Sequence, residues 1–179
     1  NAGELLRTLQ EDTTMMLFDD LERCHFWEVF QQFLQWELAR EYTLEKRKAI
    51  FGRGGLYYEL KEDYAHALAC YTKGGDHSKV SDLLVRNAEL HPGMGHYSEM
   101  ENYYRSLPES EIAASPSLMQ GMSILCAMEM DYTASERWYA LLKEFLQQCN
   151  TSDAAYKDAR NRLAWLDISL PQRSVEELP

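Results

Sequence analysis

The stretch FGRGGLYYELKEDYAHALACYTKGGD, residues 51–76, decides the fold of this chain. Asp63 predicts the N-cap of a helix that begins at Tyr64, because an Asp side chain accepts a hydrogen bond from the first free backbone N–H groups of a helix. Gly74 and Gly75 predict the end of that helix, since glycine readily adopts the left-handed conformation that closes one. The residues before Asp63 have helical spacing too, so we expect two helices joined by a short turn.

The same helical rhythm of apolar residues continues on both sides of this stretch. It predicts further helices over about 25–42, 44–60, 76–89, 97–106, 115–130, 132–149 and 153–170. The helix over 25–42 has a wide apolar arc and should pack against more than one neighbour, and the helix over 115–130 should be buried on most sides. A short helix over 5–12 and a strand within Thr13–Phe18 are expected before them. The fold class is therefore all-α, built from antiparallel helix pairs with short links.

A repeat signature within residues 51–76 sharpens this prediction. Five residues match the spacing of a tetratricopeptide (TPR) unit: Phe51, Gly55, Tyr58, Ala67 and Tyr71. The small residues would let two helices approach closely, and the tyrosines would fill the space between them. A second, weaker match to the same spacing occurs at Leu118, Met122, Leu125, Ala134 and Trp138. We therefore expect a TPR-like superhelix of divergent repeats.

Charge and composition exclude several classes of function. The net charge is −11 and no Lys/Arg cluster supplies the basic face that binding to nucleic acid requires, so we expect no direct contact with nucleic acid. Four scattered cysteines indicate reduced thiols. The sequence contains no apolar run that would span a bilayer and no signal peptide, which predicts a cytoplasmic protein with no membrane partner. Because the chain begins at Asn1 without Met, we expect a piece of a longer protein.

Three segments, in this order, carry a resemblance to a known family. They are the aromatic run Phe26–Leu34, the stretch from Tyr64 through Asp76 to Leu84, and the Leu107–Pro108 to Leu118 junction. Together they resemble the sensor region of the large ATP-binding LuxR-family (MalT-like) transcription regulators of bacteria. Two features depart from the family pattern: Trp27 or Glu28 stands where the aromatic helix usually has a His, and the second repeat lacks its Gly.

The resemblance implies a domain organisation and a function. Residues 1–42 would be the tail of a winged-helix module with its aromatic lead-in helix, 43–171 the TPR-like repeat domain, and 172–179 a tail. The domain would sense a signal and drive assembly by binding a small-molecule inducer or a regulatory protein in the repeat groove. Self-association would occur through neighbouring domains. ATP is implied for the parent protein, while this chain lacks a phosphate-loop motif.

The alternative is a free-standing TPR adaptor that binds a peptide or protein partner. In either case we expect no enzyme, and no catalytic, cofactor-binding or metal-binding residues in this chain. The tentative groove residues are Tyr97, Tyr103 and Tyr104, although packing between repeats also explains tyrosines at these positions. His91 and His96 are too few for a zinc site. Met119, Met122, Met128 and Met130 are expected in the core rather than on an adaptable ligand surface.

Overall fold

A computed structural model describes residues 16–18, 24–90 and 94–170, together with Glu4 and Thr8. The predicted helix over 5–12, apart from Thr8, and the predicted tail over 172–179 lie outside the described residues. Thr8 is helical. Within the described ranges, the all-α fold is confirmed, with one short antiparallel ribbon before the helices.

The described ranges contain two short strands and nine helices. The strands are β1 (Met16–Phe18) and β2 (Cys24–Phe26). The helices are α1 (Glu28–Glu41), α2 (Leu44–Leu60), α3 (Tyr64–Gly74), α4 (His77–Leu90), α5 (Met94–Ser106), α6 (Glu109–Ala113), α7 (Pro116–Met128), α8 (Tyr132–Gln148) and α9 (Ala154–Ser169). The chain divides into two compact units between Ile50 and Phe51, within α2, whereas the predicted boundary at 42/43 falls in the link between α1 and α2.

The first unit contains the ribbon and the aromatic helix. Strand β1 falls inside the predicted strand segment, but β2 occupies residues 24–26, so the helix begins at Glu28 and not at His25 as predicted. The expectation that this helix is packed by several neighbours is wrong, because none of its residues is buried. Its rings contact one another and the Phe26 ring of β2 instead: successive centroids along Phe26, Phe30, Phe33 and Trp36 are 5.6, 6.3 and 6.3 Å apart.

The second unit has its core around α7. All eleven residues from Ser117 to Ala127 are buried, as the apolar pattern on all sides of this helix predicts. Helix α7 packs against α4, α5, α6, α8 and α9. Helix α3 packs against α4 and α5, α4 against α5 and α6, and α8 against α9. Helix α7 thus contacts the two helices that follow it and the three that precede it in the chain.

Two turns in this unit have the same structure. Glu62 and Met130 adopt a left-handed backbone with φ of 59° and 64°, and an aspartate N-cap follows each of them. Asp63 accepts a hydrogen bond from the His66 backbone N–H, and Asp131 accepts one from the Ala134 N–H. Asp131 lies 68 residues after Asp63, and three of the backbone hydrogen bonds around the two turns match at the same offset. The turns that join α2 to α3 and α7 to α8 are therefore built alike.

This equivalence corrects the predicted second repeat, which is one residue out of register with the turns. An offset of 68 from the first signature leads to Met119, Ser123, Cys126, Ser135 and Tyr139. The small residue is therefore Ser123, where Met122 was expected. In the first pair a Cβ on Gly55 would lie 2.5 Å from the Tyr71 ring. In the second pair the Ser123 hydroxyl lies 3.0 Å from the Ser135 hydroxyl, and both side chains are fully buried.

Candidate functional site

A pocket of about 210 Å³ opens between four helices of the second unit. It is lined by Ala88 of α4, Tyr97 of α5, Gln120 of α7, and Asp158, Asn161, Arg162 and Trp165 of α9. We call it the inter-helix pocket. Gln120 and Tyr97 are only 6% and 2% exposed, so they form its buried side. The α9 residues recur at helical spacing and present one face of that helix to the pocket.

Arg162 is the central charged group of the inter-helix pocket. Its side chain is 14% exposed, and its Nε donates to both carboxylate oxygens of Asp158 at 2.9 and 3.0 Å. Its Nη1 donates to Gln120 Oε1 at 2.6 Å, which connects α9 to α7. Within the described residues, the Nη2 group of Arg162 has no protein acceptor. The guanidinium is therefore held rigidly while it keeps hydrogen-bond donors for a ligand.

The three predicted groove tyrosines of α5 lie in different environments. Tyr97 lines the inter-helix pocket, and burial raises the pKa of its hydroxyl. Tyr103 lies on another side of α5, where its hydroxyl donates to the Ala65 carbonyl of α3 at 3.4 Å. Tyr104 is 1% exposed and packs over Gly121 of α7 in the core. Tyr97 therefore lines a cavity, whereas Tyr103 and Tyr104 make contacts between helices.

The Tyr104 hydroxyl is a buried polar group without a hydrogen-bond partner among the described residues. Burial raises its pKa well above the ordinary value, so it stays neutral. The ring fits there because α7 has glycine at position 121: a Cβ on that residue would lie 2.6 Å from the Tyr104 ring. The hydroxyl of Ser117, on the same helix, is likewise buried and unpartnered. One hydroxyl on α5 and one on α7 are therefore buried without a hydrogen-bond partner among the described residues.

A second, more polar depression of about 450 Å³ is lined by charged residues of both signs. We call it the polar cleft. Its lining residues are Glu59, Lys79, Ser81, Asp82, Val85, Arg86, Glu89 and Ser115. Lys79 Nζ lies 3.7 Å from Glu59 Oε2, and the same carboxylate accepts a hydrogen bond from Tyr71 at 2.9 Å. Burial, followed by this bond, raises the pKa of Tyr71 to about 12.

The other residues that the sequence singles out lie in the core, on the surface or outside the described residues. Gly55 lies within α2 and provides the close approach to Tyr71 that the repeat signature predicts. Met119 and Met122 are buried in the core, whereas Met128 and Met130 are 42% and 77% exposed. His91 and the His96 side chain lie outside the described residues. In the part of the chain that the structure describes, no group of three or more potential metal ligands occurs, and no helix has the length and apolar character needed to cross a membrane.

Sequence reasoning missed the inter-helix pocket, although two signals for it were present. Gln120 is the longest polar side chain in the otherwise apolar helix α7, and a buried polar side chain needs a hydrogen-bonding partner. Asp158 and Arg162 are four residues apart, which places an ion pair on one helical face. No single-sequence rule connects Gln120 to Arg162, because the two lie 42 positions apart.

No family model, curated protein or solved structure matches this chain.

Proposed function

We propose that this chain is the signal-sensing and assembly domain of an ATP-dependent LuxR-type transcription regulator, with a TPR-like superhelix as its binding scaffold. The observation that carries the proposal is internal repetition. The turns at Asp63 and Asp131 share three matching backbone hydrogen bonds and lie 68 residues apart, which is twice the TPR period of 34.

The helix contacts of the second unit support the TPR-like assignment. In a stack of helix pairs, the first helix of each pair packs against the first helix of the next. The contacts of α7 with both α4 and α9 follow this arrangement, with α5 and α8 as second helices. In the first unit, the ribbon followed by the aromatic helix α1 supports the resemblance to the tail of a winged-helix module.

The proposed mechanism is a shift between two states of the parent protein. An inducer that occupies the inter-helix pocket would contact α4, α5, α7 and α9 at once. Its binding would favour the arrangement in which these helices close around it, and that state would self-associate through neighbouring domains in the cytoplasm. The shift can be no larger than the difference in the inducer's affinity for the two states.

The gene that encodes this chain provides the test of the proposed family. We expect the reading frame to contain a phosphate-loop motif G-x-x-x-x-G-K-[ST] on the amino side and a helix-turn-helix on the carboxyl side. Purified parent protein should then hydrolyse ATP, and its oligomeric state should change with inducer. A reading frame that lacks the phosphate loop would contradict the assignment.

A second candidate is a free-standing TPR adaptor. The polar cleft favours it, because Lys79 and Arg86 of α4 line one depression and could hold a carboxylate of a peptide partner. A pull-down with the purified chain distinguishes the two functions. An adaptor should retain a single extended peptide partner, and exchange of both cations, K79E with R86E, should abolish that retention.

A further inference from the structure

The inter-helix pocket has the composition of a site for a neutral, planar ligand. Its two charged residues, Asp158 and Arg162, are joined by an ion pair and cancel, so a net charge on the ligand would enter the pocket uncompensated. An anion would also meet the field of a chain whose net charge is −11. A cation would lie beside the Arg162 guanidinium. A neutral ligand avoids the uncompensated charge, the repulsion of an anion by the acidic chain and the repulsion of a cation by Arg162.

The volume and the apolar lining indicate an aromatic bicyclic ring. A cavity of roughly 150 Å³ accommodates benzene, so the 210 Å³ of this pocket suits a somewhat larger flat ring with one edge at the mouth. The half-buried indole of Trp165 supplies an aromatic surface, and Ala88 completes the apolar part. Aromatic side chains of this kind stack on nucleobases.

The polar groups supply both donors and acceptors side by side. Arg162 retains the Nη2 donors and the second N–H of Nη1, and donors on two neighbouring nitrogens of an arginine match the O6 and N7 acceptors of guanine. The Asp158 carboxylate already accepts from Arg162 Nε, and its remaining lone pairs can accept from the ring N–H and amino groups that guanine carries on the adjoining edge. Asn161 lies between them on α9 and adds an amide. This order of acceptor and donor groups is that of a 6-oxopurine.

We propose that the inter-helix pocket binds a 6-oxopurine as free base or nucleoside, with Arg162 and Asp158 reading its edge and Trp165 stacking on its ring. This inference rests on the proposed sensing function and names the chemical class of the signal. Adenosine should bind poorly, because its amino group would place donors against Arg162.

Titration of the full 179-residue chain with guanosine, inosine and adenosine, followed by calorimetry and by the indole N–H signal of Trp165, tests the proposal. We expect saturable binding of guanosine and inosine, and adenosine binding that is weaker by about tenfold or more. D158N and N161A should each weaken guanosine binding by about tenfold. N161A alters an exposed residue and keeps the test valid if D158N unfolds.

The matched control is K157A, which changes an exposed charge of α9 outside the pocket and should leave guanosine affinity unchanged. Absence of saturable guanosine binding, equal binding of adenosine, or equal effects of N161A and K157A would overturn the ligand assignment. These outcomes leave the reading-frame test of the proposed family intact, and a missing phosphate loop would leave the purine measurement intact. The two failures are therefore distinguishable.

Discussion

Gly55 and Gly52 lie in the same helix but face different surroundings. A Cβ added at Gly55 would lie 2.5 Å from the Tyr71 ring, whereas one at Gly52 would meet nothing within 4 Å. We expect G55A to lower the free energy of unfolding by about 1–3 kcal/mol through overpacking. G52A, the matched control, should raise it by roughly 0.5–1 kcal/mol, because alanine favours the helix. Urea unfolding of both variants measures the difference, and equal effects would show that Gly55 has no packing role.

The Tyr104 hydroxyl gives a second prediction at this scale. It is buried without a partner, and a buried unsatisfied hydroxyl costs stability. Replacement by phenylalanine keeps the ring over Gly121 and removes the unsatisfied group. We expect Y104F to raise the free energy of unfolding by about 1 kcal/mol in urea denaturation. A loss of stability instead would mean that the hydroxyl has a partner that the structure does not reveal.

Individual residues could be placed from the sequence where a local rule applies. Gly75 is left-handed with φ of 69°, as the terminating glycine pair predicts. The partner of Gly55 was also predictable, since Tyr71 belongs to the same repeat signature. The Arg162–Gln120 contact was not, because it depends on how α9 packs on α7 and no local pattern encodes that packing.

At the scale of elements, the two aspartate caps set where α3 and α8 begin. D63A and D131A should each lower the free energy of unfolding by about 1 kcal/mol, since each removes a hydrogen bond to the first turn. D153A is the matched control, because Asp153 precedes α9 without a side-chain capping bond. Equal losses in all three variants would contradict a capping role for Asp63 and Asp131.

The Asp63 cap also predicts a dependence on pH. Its hydrogen bond with the His66 side chain holds the pKa of the carboxyl below the ordinary 3.8. A lowered pKa in the folded state means that the stabilisation is present above pH 3.8 and is lost as the pH falls through the folded-state pKa. The stability difference between wild type and D63A should therefore shrink on acidification below pH 4, as chemical unfolding at several pH values would show. A stability difference that grows on acidification would contradict a lowered pKa of Asp63 in the folded state.

Most element boundaries in the second unit followed from the sequence. The starts of α3, α7 and α8 and the end of α3 coincide with their Asp, Pro and Gly signals. The element boundaries of the first unit were harder to predict, because the aromatic run over 26–34 fits both a strand end and a helix. The short helix α6 was missed as well, since five residues are too few to show a period.

At the scale of the whole molecule, hydrophobic pattern and short links predict the fold class, because they leave antiparallel neighbours as the available packing. They do not predict which cavities remain between pairs. The inter-helix pocket exists because four helices of different pairs meet around Gln120, Arg162 and Tyr97. Its location depends on side-chain packing across distant segments, which a single sequence does not encode.

Amide hydrogen exchange of the full chain tests most directly whether the helices form a stack centred on α7. We expect the amides over 117–127 to exchange most slowly, at the rate of global unfolding, because every residue there is buried and α7 packs on five other helices. Helix α1 should exchange fastest among the described helices, since none of its residues is buried. Protection of α1 equal to that of α7, or opening of α7 before α3 and α9, would contradict the account.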